Sequence, residues 1–430
     1  MRGEDHNMKT IFLNFKKAAA LALAAVMLLS VSGCGAYKSS SVKTLKAEEL
    51  TAGAGAGESD TKDVGIDSVF VGGAAEFAIE LLKNSVDGKD NSMVSPLSVL
   101  LALSMTANGA KGETLRQMEE LLCGGISIDE LNRYCKSYAG QLPDTQKTRF
   151  SIANSIWIKD DFDVREDFLK TNHSFYDASV YKAAFDESTV KDINKWVYDK
   201  TQKMIDGVVE EIDKDTVMYL INAIAFEAEW QKVYEEGQTR KNSFTEEGGS
   251  RYDVDMMFSE EDIYVEDKNA TGFVKNYLDG YAFVALRPKD GVTLDEYIKS
   301  LSGDGFLKML ENKKSGTVYA GLPKFESEYS IEMKDVLSKM GMPVAFDSKT
   351  ADFSGMNDSA QLYIDSVMHK TYIKVDERGT KAGAVTSVTM KDEGAALEYY
   401  EVTLDRPFVY AIVDTQNNLP VFIGAVRTLD

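Results

Sequence analysis

Residues 218–226, Met-Tyr-Leu-Ile-Asn-Ala-Ile-Ala-Phe, carry only one fully polar side chain, that of Asn222. A run this short cannot comfortably cross a bilayer, and it has no polar face to turn to water. It reads as a strand buried on both sides, which demands a sheet with layers packed on each face. Asn222 must then find partners inside the protein, because burying an unpaired amide costs a few kcal/mol. His369, just ahead of the strand-like 371–375, is a second polar residue in apolar company. Ser95 and Ser98 frame Pro96 and Leu97; Ser95 suits a helix N-cap and Pro96 the first helical turn, followed by an apolar stripe of Leu97, Leu100 and Leu101. These residues read as a cap and a buried hydroxyl rather than as nucleophiles, and with Asn222 and His369 they can satisfy one another.

A second stretch has a different character. Over residues 377–394 the even positions Thr380, Ala382, Ala384, Thr386, Val388 and Met390 are uncharged and small or slender, while Lys381, Gly383, Val385, Ser387, Thr389 and Lys391 form a mostly polar opposite face. That is the period of a half-buried strand. Yet Gly379 and Gly383 interrupt it and Lys391-Asp392-Glu393-Gly394 reads as an exposed tip, so a loop carries the pattern of a strand.

Other segments are conventional. Ala74, Phe77, Ala78, Leu81 and Leu82 mark one amphipathic helix, and Ile193, Trp196, Val197, Met204 and Ile205 another. Residues 407–413 and 419–426 form a buried hairpin. The N-terminus reads as an address: Lys9, Lys16 and Lys17 precede an apolar core over 18–29, and Val31-Ser32-Gly33-Cys34 resembles a bacterial lipobox, with Cys34 as the lipidated residue. Residues 1–33 are thus a lipoprotein signal peptide (or an ordinary secretory signal cut nearby). Residues 34–66, with Ser39-Ser40-Ser41 and alternating Gly and Ala over 53–57, are a flexible tether. Residues 67–430 are the globular domain.

A net charge of −21 argues against nucleic acid and against an anionic membrane surface, leaving the N-terminal lipid as the membrane contact. Three cysteines and three histidines make no metal site, and two free thiols are expected over a Cys123–Cys135 bridge. No Gly-x-Ser-x-Gly, no His-Glu-x-x-His and no scaffolded Ser-x-x-Lys is present, which argues against a hydrolase.

Taken in order, Ser95-Pro96-Leu97-Ser98, Asn222-Ala223-Ile224-Ala225-Phe226 leading to Trp230, Leu322-Pro323-Lys324-Phe325, Ala351-Asp352-Phe353-Ser354-Gly355, His369 ahead of Glu377, and Asp405-Arg406-Pro407-Phe408 resemble the serpin family over residues 67–430. The resemblance implies an α+β fold of three β-sheets and about nine helices, with an exposed reactive-centre loop. It also implies a polar cluster of Ser95, Ser98, Asn222 and His369 where two central strands part, with Trp230 near the top of that opening. Glu377, Gly379, Thr380, Ala382, Gly383 and Ala384 would be the loop's hinge, although Arg378 and Lys381 stand where acidic residues are commoner.

The implied function is suicide inhibition of extracellular serine proteases, without catalysis or cofactor, from a lipid-anchored position at a bacterial surface. The scissile bond falls nominally at Glu393–Gly394, with Met390, Lys391, Ala395 and Ala396 as other candidates. The target could therefore be of glutamate-specific, trypsin-like, elastase-like or subtilisin-like class. A non-inhibitory surface binding lipoprotein of the same fold is the alternative, and a lipoprotein hydrolase a more distant one.

Overall fold

The apolar run at 218–226 lies inside a longer strand at the middle of a seven-stranded sheet. The computed structural model describes residues 45–53, 64–213, 216–359, 361–380 and 398–429. Cys34, the hinge residues Ala382, Gly383 and Ala384, and the scissile candidates Met390, Lys391, Glu393, Gly394, Ala395 and Ala396 lie outside the described residues.

In chain order the strands are β1 (Glu48–Glu49), β2 (Ser92–Val94), β3 (Thr148–Lys159), β4 (Ser179–Ala183), β5 (Met218–Glu229), β6 (Thr239–Thr245), β7 (Arg251–Glu266), β8 (Ala270–Asn276), β9 (Tyr281–Pro288), β10 (Lys314–Pro323), β11 (Phe325–Glu332), β12 (Ser366–Asp376), β13 (Gly379–Thr380), β14 (Tyr399–Thr403), β15 (Phe408–Asp414) and β16 (Leu419–Val426). Nine α-helices accompany them among the described residues, giving the mixed α+β architecture expected.

The first sheet runs β1-β4-β3-β5-β13-β12-β11. The second runs β14-β10-β7-β8-β9-β15-β16-β2, with β6 added on β7. Two of the three expected sheets are therefore joined through β7. That strand pairs β6 over residues 251–257, β10 over 256–264 and β8 over 263–266. The hairpin of β15 and β16 forms as the sequence indicates, antiparallel and with both strands buried throughout.

The helix Pro96–Ala107 is buried at every residue and touches β3 and β5 of one sheet and β16 of the other. Ser95 caps it by accepting the Ser98 N–H, and Pro96 fills the first turn, where a missing N–H costs nothing. The helix Ser68–Ser85 buries the predicted stripe of Ala74, Phe77, Ala78, Leu81 and Leu82. Cys123 and Cys135 are free and buried, and burial pushes both thiols up to about 12, so neither is a nucleophile at neutral pH.

Two expectations give way. The helix over Ile193, Trp196 and Val197 ends at Lys200, so Met204 and Ile205 lie beyond it. Gln202 and Lys203 take positive φ (50° and 70°), which a helix cannot continue, and the Thr201 hydroxyl both caps the Val197 carbonyl and accepts the Ile205 N–H.

Nor is the whole of 34–66 a tether. Residues from Lys46 onward belong to the globular unit. Glu48 and Glu49 pair antiparallel with β4, Thr51 is buried, and the Asp192 carboxylate of the helix Glu187–Lys200 accepts the Lys46 and Ala47 N–H groups at 2.6 and 2.8 Å. This docking uses backbone polar groups over too few residues to leave an apolar period, so hydropathy could not signal it. Asp192→Ala should free the segment. Amide hydrogen exchange at residues 46–51 should quicken by ~10-fold or more, since hydrogen bonds to a charged group contribute about 1.5–3 kcal/mol each.

Candidate functional site

β5 and β12 are parallel neighbours from Tyr219–Ser366 to Ala225–Tyr372. Above that point they part, and β13 is wedged between them, antiparallel to both: Thr380 faces Ala228 of β5 and Val375 of β12. The chain reaches this position by reversing directly after β12 through Glu377 and Arg378. Gly379 is required here. Its φ is +142°, and a Cβ would stand 2.0 Å from the Ala228 carbonyl oxygen.

The reversal is held by its backbone. Three successive carbonyls, of Asp376, Glu377 and Arg378, accept hydrogen bonds of 2.9 Å from the Trp230 indole N–H, the Tyr234 N–H and the Trp230 N–H respectively. The Glu377 carboxylate meets the Lys324 ammonium at 2.9 Å and the Thr239 hydroxyl at 3.0 Å. Burial pushes this carboxyl up, but those hydrogen bonds outweigh it and hold it below its ordinary range. Inside the wedge, the buried Thr380 hydroxyl pairs with Tyr277 at 2.8 Å, and the Tyr277 ring stacks on Trp230 with centroids 4.1 Å apart. Trp230 thus sits where β5 and β12 part to form a slot, beside β13.

Lower in the same slot, where β5 and β12 still pair, the four polar residues read from the sequence converge. His369 stands opposite Asn222 in the ladder, and its Nδ1 hydrogen-bonds the Asn222 Oδ1. Its Nε2 accepts the Ser95 N–H at 3.1 Å, which places the ring proton on Nδ1 and leaves the imidazole neutral. Asn222 Nδ2 donates to the Ser98 hydroxyl and to Asn154 Oδ1, both at 2.6 Å. Ser98 donates to Asn154 Oδ1 at 3.1 Å, and Ser95 donates to the Val421 carbonyl at 2.8 Å. Asn154 is the member the sequence reading missed. It faces Asn222 across the β3–β5 ladder, in a strand where several polar residues alternate and none stands out.

This cluster has the parts of a latch rather than of an active site. Ser95 and Ser98 spend their hydrogens on a carbonyl and an amide, so neither hydroxyl is activated by His369. Burial depresses the His369 pKa to about 3, so the ring cannot act as a base near neutrality.

A profile of the family described as Serpin (serine protease inhibitor) matches residues 73–429. Human (Homo sapiens) neuroserpin is 27% identical over 356 residues, covering 78% of this chain and 86% of its own. Among solved structures, the thermophilic serpin tengpin in its native state is 48% identical, with a TM-score of 0.85 over 90% of this chain and 100% of its own. The same protein in its latent state, also 48% identical, gives 0.76 over 86% and 100%.

The depressed His369 pKa sets a pH dependence. In the unfolded chain the imidazole takes up a proton near its ordinary value of 6.5, whereas in the folded protein it does so only near 3. Its contribution to stability is therefore complete above pH ~6.5 and is lost as pH falls towards 3, at about 1.36 kcal/mol per unit. Between pH 7 and 4.5 the protein should lose roughly 2–3 kcal/mol from this residue. His369→Gln should remove that part of the slope, read from urea midpoints at the two pH values.

Proposed function

The chain belongs to the serpin family, most of whose members inhibit proteases rather than act as enzymes, and from this we propose that it traps serine proteases by inserting its cleaved loop into the first sheet. The observation that carries the reading is β13. It lies antiparallel between two parallel strands and in register with both, as the first rung of a strand that can be extended.

Continuing that register gives definite pairings. Ala382 would fall between Phe226 and Ile373, Ala384 between Ile224 and Thr371, and Thr386 between Asn222 and His369. Residues opposite one another in a sheet share a face, so the Thr386 hydroxyl would arrive between the amide and the imidazole that now bond each other. The even-numbered face of 380–390 would point inward, where Thr380 is already buried, and its small side chains would enter a packed interior without overfilling it. Insertion would exchange one parallel ladder for two antiparallel ones, which are somewhat stronger per residue. About a dozen additional backbone hydrogen bonds at ~0.5–1.5 kcal/mol each amount to on the order of 10 kcal/mol.

The reaction follows from this stored difference. A serine protease attacks the loop and forms an acyl-enzyme; the severed hinge then zips down between β5 and β12 and drags the enzyme away before water can release it. Cleavage at Glu393–Gly394 would fit a glutamate-specific protease and Lys391 a trypsin-like one. Ala395, Ala396 or Leu397 would fit an elastase- or subtilisin-like enzyme. The basic region, the apolar core and Val31-Ser32-Gly33-Cys34 support secretion and a lipid anchor at Cys34 on a bacterial surface.

Ala382→Arg would place a charge on the inward face, so the variant should be cut as a substrate and lose almost all of its SDS-stable complex, while the parent forms that complex and melts well above its intact form once cleaved. A complex that persists in the variant, or a cleaved parent that melts no higher, would sink the insertion mechanism and favour a non-inhibitory binding role. Separately, Cys34→Ser should move the protein from the membrane fraction to the medium. Retention on the membrane would exclude the lipid anchor.

A further inference from the structure

Behind the mouth of the slot lies a buried ion pair. Lys275 Nζ is 2.7 Å from the Glu261 carboxylate, and the two side chains are 1% and 5% exposed. Lys275 is the penultimate residue of β8 and Tyr277 follows two residues later, so both side chains lie on the face turned towards Trp230. The ammonium stands 4.3 Å from the Tyr234 ring centroid and 5.3 Å from that of Trp230, and it donates to the Lys232 carbonyl at 3.1 Å. Glu261 in turn accepts the Ser259 hydroxyl at 2.6 Å.

Stability alone does not account for this arrangement. Each buried ion forfeits several kcal/mol of hydration, and well-packed apolar residues of similar volume in place of such a pair are often neutral or stabilising. Burial here pulls the Lys275 pKa down, even against the opposing pull of Glu261. What a pair supplies that methionines cannot is direction: an ammonium fixed by a carboxylate, a carbonyl and the faces of two rings permits one arrangement of those rings. The two rings belong to the residues whose N–H groups hold the carbonyls of Asp376, Glu377 and Arg378.

We propose that Lys275 and Glu261 are positioning residues that lock Trp230 and Tyr234 over the chain reversal, and so restrain the hinge from advancing past Thr380 before the loop is cut. This deepens the insertion reading and rests on it, but the lock itself can be measured without any protease.

Three measurements on Lys275→Met, on the double variant Lys275→Met/Glu261→Met and on Glu261→Gln provide the test: the urea midpoint, amide hydrogen exchange at Trp230 and Tyr234, and the half-life of spontaneous conversion to a higher-melting form. Lys275→Met should lower the midpoint, because it strands a buried carboxylate. The double variant should recover the midpoint yet exchange those two amides and convert at least ~5-fold faster than the parent, the factor a restraint of this order supplies. Glu261→Gln, which keeps its shape and weakens the hold on the ammonium, should move exchange in the same direction. Unchanged exchange in the double variant and in Glu261→Gln overturns the lock. Faster exchange with an unchanged conversion half-life overturns its role in restraint. A parent that gains no stability on loop cleavage overturns insertion itself, a result separate from the exchange measurement.

Discussion

Two parallel strands with room for an antiparallel third are the constraint on which this structure turns. β5 and β12 bond directly along their lower halves and diverge above, and the chain leaving β12 turns straight back into the gap. An open sheet can widen there because both flanking strands have their other edges paired, β5 with β3 and β12 with β11. The packed helix behind them supplies a fixed floor. On the proposed mechanism, the native fold is one in which the best use of the central backbone groups is deferred.

Deferral needs restraints, and they occur at two depths. At the mouth, Trp230 and Tyr234 hold three carbonyls of the reversal while Lys324 and Thr239 hold the Glu377 carboxylate. Halfway down, His369 and Asn222 join side chains across the pair of strands that would separate on insertion. The polar groups at both depths are satisfied, so neither restraint leaves the interior in deficit. Both are also made of hydrogen bonds, which can be exchanged one at a time for those of an arriving strand. An apolar plug at either place would have to be expelled whole.

Much of this was legible in the sequence and some was not, for physical reasons. Asn222 and His369 stood out because a polar side chain in an apolar run must be paired, and the cap at Ser95 followed from its proline. Asn154 did not stand out, because β3 alternates polar and apolar residues and one amide among them looks solvated. Glu261 lies in a stretch rich in charge, and Lys275 is a single charge next to the end of β8, so neither marks itself as buried; that depends on which strands the fold places alongside. The docked 46–53 segment is held by a carboxylate and main-chain bonds, which leave no hydropathic trace. The helix that stops at Lys200 was overextended because Ile205 is buried without being helical.

The register at Thr380 has a further consequence for what can vary. Because that residue is already aligned with Ala228 and Val375, insertion as proposed would assign every later residue its seat without reference to how long the loop is. Loop length would govern travel instead: each residue between Thr380 and the severed bond would add about 3.4 Å to the path over which a captured enzyme would be carried. Two loops differing by three residues would share one docking geometry and deliver their cargo to places roughly 10 Å apart. If the chain inhibits by insertion as proposed, prey and delivery point would thus be adjustable without touching the strands that receive the loop.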